Sequence, residues 1–494
     1  MPAPQLLPKA LLLVAVCSSS IAAAFAASSD STALNKKISR VEQGLSTSVV
    51  VKGASAQKMR LTDRMHYHQV PAVSIAVVNN GQLEWARAYG VNVTGSTEHT
   101  TSSTLFQTAS ISKAVSAMAA LHLVEQGKLR LDGDVNSQLK SWKLPDHEFT
   151  KEHKVSLRQL LNHSGGVNVH GFHGYKMTQT VPSLLAVLKG DGPANTEPVR
   201  VEAIPGTEWS YSGGGYTIIQ LMMMEASQQD FPQLLQDIVF TPLDMQHSRF
   251  AASLPKEERN NAAAGHNGSG AAIPGLWHQN PELAAAGLWS TPSDLAKIII
   301  EVQKSDAGTS NKILSSPMTK TMLTRLLGET GLGFFVEQQP DRTSFSHSGG
   351  NDGFRTLLFG YTKTGQGAVV LTNGDNGMAL IEEIFASIAA EYNWPDFKVT
   401  EKSVIAPDAK LNQTLAGEYQ LLDKPASITA EGEHLYFQSD LISSKRLELH
   451  PEADLSFFLT APDATVLFET DAKDKLTGFS LIKGVNTYSA TKVR

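Results

Sequence analysis

The sequence predicts an α+β fold: an antiparallel sheet flanked by helices with a helical subdomain, followed by a small all-β C-terminal unit. Three observations predict it. Apolar β-formers at Val73–Val78 and Leu83–Gly90 flank Asn79-Asn80-Gly81, the pattern of a hairpin near the start of the chain. Helical spacing dominates the middle, and strand signals return at Phe334–Glu337, Thr356–Tyr361 and Ala368–Thr372 before a closing helix from Met378 to Glu391. Beyond residue 411 come short alternating runs about ten residues apart, almost without helix signal, which predict a small antiparallel barrel or sandwich. Strands at both ends with helices between exclude a regular βαβ alternation.

The elements follow in order. Lys9 is the only charge before Asp30, Ala10 to Val16 is apolar, and Ala24-Phe25-Ala26-Ala27 supplies a small-residue cleavage signal. Residues 1–26 therefore read as a secretory signal peptide, cut after Ala26 or Ala27. Ser18, Ser19 and Ser20 interrupt the run short of the roughly 20 apolar residues a membrane span needs. The expected location is exported, periplasmic or secreted, with no stable span after processing. Cys17 is the only cysteine, and the bulky Val16 before it disfavours lipidation there. A disulfide framework is excluded.

A catalytic domain is expected over 35–396. Ala114, Val115, Met118, Leu121 and Val124 place a helix over Ile111–Gln126, closed by Gly127. Further helices are expected at Ser156–Asn162, Val181–Leu188, Tyr216–Ser227, Phe231–Val239 and Ser293–Gln303, the last with Pro292 at its start. Residues 397–411 show no period and read as a linker, and 412–494 as the C-terminal barrel-like domain. Its eight strand signals run from Gly417–Leu421 to Thr487–Lys492. This domain is expected to do no chemistry, and to cover an edge of the main domain or shape access to its pocket.

The 494 residues carry 42 Lys plus Arg against 48 Asp plus Glu, a net charge of −6, and are 41% hydrophobic. That is apolar enough to exclude a wholly disordered chain. The acidic balance argues against nucleic acid as a partner.

The chemistry starts at Ser110-Ile111-Ser112-Lys113. A serine at the first turn of a helix and a lysine three residues on share one face, at the end where backbone N–H groups point outward. A serine hydroxyl is a weak nucleophile until a neighbour takes its proton. The same spacing recurs at Ser55/Lys58, Ser137/Lys140, Ser253/Lys256, Ser480/Lys483 and Ser489/Lys492, without Thr108-Ala109 ahead or a long amphipathic helix behind. Two more motifs join it. Trp209-Ser210-Tyr211-Ser212-Gly213-Gly214-Gly215 offers a tyrosine in a glycine-rich turn, and a phenolate stabilised by a lysine ammonium is a usable base. Ser346-His347-Ser348-Gly349-Gly350 offers backbone N–H groups beside a strand for a developing oxyanion.

Together these motifs resemble the serine β-lactamase and penicillin-binding-protein superfamily, in its class C-like branch of D-Ala-D-Ala carboxypeptidases, D-aminopeptidases and esterases. The resemblance spans about Asn35 to Trp394. It includes Val70-Pro71-Ala72-Val73-Ser74, Leu160-Leu161-Asn162-His163-Ser164-Gly165-Gly166, Pro205-Gly206-Thr207 and Ala286-Gly287-Leu288-Trp289-Ser290-Thr291-Pro292. It implies Ser110 as acylated nucleophile, Lys113 as its proton partner, Tyr211 as general base, and His347 where relatives carry lysine or histidine. The backbone N–H groups of Ser110 and Gly350 would form the oxyanion hole. Ser212, Gly213, Ser348 and Gly349 would border the substrate.

A literal Lys363-Thr364-Gly365 lies between two expected strands and reads as a hairpin turn, not as the third motif. Relatives active on β-lactams usually carry asparagine where Gly213 stands and lysine where His347 stands, so both departures argue against efficient β-lactam hydrolysis and against a D-Ala-D-Ala carboxypeptidase, while leaving the acyl-transfer machinery intact.

His66-Tyr67-His68 lacks the further ligands of a zinc motif. His163, His170 and His173, with Phe172 and Tyr175 nearby, read as a pocket border. The reading calls for no metal and no cofactor. The expected function is an exported serine hydrolase working through an acyl-enzyme on a small-molecule or peptide substrate: an amide, an ester or a D-amino-acid peptide. The alternative is a non-catalytic exported binding or sensor protein using the same pocket. The oligomeric state stays open.

Overall fold

The computed structural model describes residues 31–493, apart from 55–57, 423, 440, 484 and 485. The signal-peptide reading and Cys17 lie outside the described residues. No helix among the described residues is long and apolar enough to cross a membrane.

The central sheet has six strands, all antiparallel, in the order Gln82–Gly90, Ala72–Asn79, Gly367–Thr372, Phe354–Tyr361, Thr343–Asn351, Phe335–Gln338. Successive residues of a strand face opposite sides. Val73, Ile75 and Val77 accordingly join one core with Leu380, Ile384, Phe385 and Ile388 of the closing helix Gly377–Tyr392. Ala72, Ala76, Val369 and Leu371 join the larger core on the other side, with the helices Ile111–Glu125, Gly213–Ser227 and Pro292–Asp306. Apolar strands buried on both faces explain why the sheet reads so clearly in sequence.

The strand Thr343–Asn351 is missing from the sequence reading, which placed only a glycine-rich approach there. Its serines and paired glycines suppress strand propensity. Tertiary pairing overrides this, since Ser344 to Asn351 pair with Tyr361 to Phe354. The helix expected from Tyr216 begins three residues earlier, at Gly213. The Ser212 hydroxyl accepts the Gly215 N–H at 2.9 Å and so starts the helix within the glycine run. Phe231–Leu235 is α-helical and passes into a wider π turn, Gln236–Phe240, within the expected helix.

Lys363-Thr364-Gly365 lies in the turn between Phe354–Tyr361 and Gly367–Thr372, where the Gly365 carbonyl accepts the Gly81 N–H at 2.8 Å. That turn caps the end of the sheet opposite Gly350, which pairs with Arg355.

Residues 397–411, read as a linker, contain ordered elements. Thr400–Lys402 pairs in parallel with Val49–Val51, and Asp408 caps a helix, Ala409–Leu415. A three-residue strand is too short to show a period, and its partner lies some 350 positions earlier, where no local pattern can report it. Beyond it, eight antiparallel strands from Gly417–Leu421 to Asn486–Lys492 close into a barrel. Its interior is filled by side chains including Tyr419, Phe437, Phe457, Phe468 and Phe479.

The barrel meets the outer helices of the main body. Lys445 donates to the Tyr67 carbonyl and lies over the Tyr67 ring, and Lys483 reaches Glu382 at 3.5 Å. Both partners sit on the helices Leu61–His68 and Gly377–Tyr392, on the side of the sheet away from the helix that Ser110 opens.

Candidate active site

Ser110 stands at the start of the helix Ile111–Glu125, and the way the chain reaches it is unusual. Ala109 is fully buried and has a left-handed φ of +50°, a conformation costing a non-glycine residue about 1 kcal/mol or more. The turn is pinned on several sides. The Thr108 N–H and hydroxyl both donate to the Leu288 carbonyl, at 2.9 and 3.1 Å. Thr356 donates its hydroxyl to the Thr108 carbonyl at 3.0 Å, and Ser112 donates to the Ala109 carbonyl at 2.5 Å.

Leu288 belongs to a small three-stranded sheet with Phe106–Gln107 and Arg249–Phe250, so the segment Ala286–Pro292 that matched in sequence is a clamp on this turn. A serine at this position normally caps the helix through its side chain, but Ser110 makes no such bond. Its Oγ accepts instead from Lys113 Nζ at 3.1 Å. Lys113 is only 3% exposed and also donates to the Ala285 carbonyl at 2.8 Å.

Tyr211 completes the centre. Lys113 Nζ lies 4.9 Å from its ring centroid, and the His163 ring lies against the phenol, tilted by 35°, at 4.3 Å between centroids. His163 is buried, and its own φ is +63°. The Ser212 N–H donates to His163 Nδ1 at 3.1 Å, which puts the ring proton on Nε2. Burial, and then the Lys113 charge, hold its pKa well below the ordinary histidine value, so it is a neutral support for the tyrosine. In sequence it appeared only as part of a matching stretch and a pocket border. Its contact with Tyr211 spans 48 positions and leaves no local signal.

His347 is 2% exposed, with its ring 6.5 Å from that of Tyr211 and 5.4 Å from that of Phe335. Burial, followed by the Lys113 charge, pushes its pKa down to about 3. Its Nδ1 lies 2.6 Å from the Ser348 carbonyl, which can only accept, so Nδ1 carries the proton and Nε2 presents a lone pair. Its neighbours on the strand divide by face. Ser348 and Gly350 are exposed, whereas Gly349 is buried. A Cβ at Gly349 would lie 2.2 Å from the Thr108 carbonyl oxygen, so only glycine lets this strand pass under the Ser110 turn. The strand Phe335–Gln338 pairs with its neighbour only as far as Ser346, leaving 347–351 without a strand on that edge.

Ser212 and Gly213, expected to border the substrate, are engaged within the fold as well. The Ser212 hydroxyl is buried, donates to the Asn168 carbonyl at 2.8 Å and accepts the Gly215 N–H, so capping consumes it. Gly213 is buried beneath the Phe172 ring, which would lie 2.6 Å from a Cβ there. The loop that carries Phe172 is tied to the Tyr211 turn: His170 Nδ1 donates to the Tyr211 carbonyl at 2.6 Å. Of the other histidines, His68 bonds Glu383 at 3.0 Å within an ion-pair cluster that includes Arg64.

Ser110, Lys113, Tyr211 and His347 thus meet at one place, contributed by the start of one helix, the turn before a second and one strand. The beta-lactamase family pattern matches residues 59–391, two-thirds of the chain, and spans all four. The chain belongs to the beta-lactamase family. This is a family of serine hydrolases. A penicillin-binding protein of Bacillus subtilis (strain 168) is 23% identical over 453 residues, 85% of this chain and 95% of that protein. The octameric penicillin-binding protein homologue from Pyrococcus abyssi superposes with a TM-score of 0.59 at 19% identity, over 87% of this chain and 98% of the other. The D-amino acid amidase from Ochrobactrum anthropi SV3, in complex with L-phenylalanine amide, does so with a TM-score of 0.54 at 19% identity, over 67% and 98%. At these identities the two structures establish the family's fold in this chain.

Proposed function

We propose that this protein is an exported serine hydrolase that forms an acyl-enzyme on Ser110 and cleaves a small amide, an ester or a D-amino-acid peptide. The observation that carries the reading is the 3.1 Å contact between buried Lys113 Nζ and a Ser110 Oγ that is not spent on capping. Ser110 Oγ attacks the substrate carbonyl carbon, and its proton passes to the Tyr211 oxygen. Lys113 stays charged, orients the hydroxyl and stabilises the phenolate. The negative oxygen of the tetrahedral intermediate falls to the backbone N–H groups of Ser110 and Gly350. Breaking the carbonyl carbon's bond to the leaving nitrogen or oxygen returns the proton from Tyr211 to that group. A water molecule then repeats the sequence against the ester on Ser110. Neutral His347, with Nε2 as acceptor, orients hydroxyl or amide protons in the cleft without adding charge.

The amidase among the structural neighbours and the penicillin-binding relatives support the small amide and D-peptide members of this substrate range. The composition of residues 1–26 supports export. The intact Ser110, Lys113 and Tyr211, gathered at one place, favour catalysis over a binding or sensor role. Incubation with a fluorophosphonate or penicillin probe, followed by mass spectrometry, should place the adduct on Ser110. An adduct on another serine, or full activity in Ser110→Ala, overturns the proposal. N-terminal sequencing of the exported protein should begin at Ala27 or Ser28.

A further inference from the structure

Four hydrogen bonds fasten the loop 168–172 to the Tyr211 turn. Ser212 Oγ donates to the Asn168 carbonyl at 2.8 Å, and the N–H groups of Gly213 and Gly214 donate to the Val169 carbonyl at 2.9 and 3.0 Å. His170 Nδ1 donates to the Tyr211 carbonyl at 2.6 Å. The loop therefore cannot shift without moving the residue placed as the base. Phe172 rides on this loop. Its Cε2, Cδ2 and Cζ would lie 2.6, 3.2 and 3.4 Å from a Cβ on Gly213, so the ring edge occupies the volume that any side chain at 213 would take. The ring is only half-buried, and so are Trp209 and Phe335, which stand beside Tyr211 and His347 with ring centroids 6.4 and 5.4 Å away. Partly exposed aromatic side chains thus stand around the reacting groups, the kind of apolar lining that small-ligand clefts carry.

We propose that Phe172, seated over Gly213, is a specificity-determining residue that forms an aromatic subsite for the acyl portion of the substrate, and that this portion is itself aromatic or otherwise apolar. The inference rests on the acyl-enzyme reading above. A ring face and edge recognise apolar surface and offer no hydrogen bond, so the preference is for shape and apolarity.

The test uses two p-nitrophenyl phosphonates, one benzyl and one methyl. In each, Ser110 Oγ forms a bond to phosphorus and p-nitrophenolate leaves, so the inactivation rate is read by absorbance. The wild type should react faster with the benzyl compound. Phe172→Ala should lower the benzyl-to-methyl ratio about tenfold, the usual size of an apolar subsite contact. Phe172→Leu, which keeps apolar bulk and guards against loss of the loop fold, should lower it less. Gly213→Ala pushes the ring aside from the other partner and should lower the ratio as well. A ratio unchanged in Phe172→Ala, or a wild type that prefers the methyl compound, overturns the inference while leaving Ser110 as nucleophile. If neither compound labels Ser110, the acyl-enzyme reading fails and this inference fails with it.

Discussion

The carbonyl oxygen of Ala285 lies 2.8 Å from the ammonium nitrogen of Lys113. A charge buried to this degree needs fixed acceptors, and this carbonyl aims the side chain so that a second N–H reaches Ser110 Oγ. Lys113→Ala should therefore lower the acylation rate by at least about 10²- to 10⁴-fold, because it removes both the orienting bond and the charge that favours a phenolate. Lys113→Arg should not rescue it, since the larger, planar guanidinium does not fit the space of a buried ammonium and aims its N–H groups in one plane. Probe labelling rates at Ser110 check both. Near-normal labelling in either variant would remove Lys113 from the mechanism.

Tyr211→Phe separates chemistry from support. The His163 ring lies against the phenol, a contact phenylalanine keeps, so thermal stability should move by only a degree or two while turnover falls about 10²- to 10⁴-fold. Activity within threefold of wild type would place the base elsewhere.

What could be read in the sequence depended on how local the signal was. The Ser110 helix, the hairpin around Asn80-Gly81 and the eight barrel strands all carry their period within a few residues. The strand through His347 did not, because Gly349 must be glycine to pass under Thr108 and glycine erases the alternation. The three ordered motifs single out Ser110, Lys113 and Tyr211, which the fold brings together, but nothing near Ser212 shows that its hydroxyl is committed to Asn168 and Gly215. Phe172 over Gly213 and His163 on Tyr211 are contacts across tens of residues, which only the folded chain brings together.

Glu282 gives the protein a pH-dependent stability. It is fully buried, no other residue among those described hydrogen-bonds its carboxylate, and burial, only partly offset by its own backbone N–H, raises its pKa from 4.5 to about 7. Between these values the folded state holds a proton that the unfolded state has lost. Stability is therefore fully present below about pH 4.5 and falls as pH rises through 7, by about 3 kcal/mol in all. Glu282→Gln should raise the melting temperature at pH 8 and change it little at pH 4.5. Equal effects at the two pH values would show that the carboxyl does not titrate across this range.

The last prediction concerns the barrel. It was expected to cover an edge of the main body or shape access to the pocket. Its contacts at Tyr67 and Glu382 instead fall on the outer helices, on the far side of the sheet from Ser110. Groups this far apart, with no shared partner, act independently. A chain ending near Pro407 should thus label at Ser110 within about threefold of the full-length rate, while its melting temperature drops. A separate, pH-dependent contribution belongs to the Lys483–Glu382 pair of the full chain. Burial raises the Glu382 pKa, and Lys483 opposes the rise. Without Lys483 the folded-state value climbs further above the unfolded one, so the loss of stability grows as pH increases beyond about 4.5. Lys483→Met in the full chain isolates this effect: it should cost more in melting temperature at pH 8 than at pH 5 and leave Ser110 labelling unchanged. If the truncated chain is folded by circular dichroism yet labels more than tenfold slower, the barrel takes part in building the cleft and its placement behind the sheet is not the whole of its role.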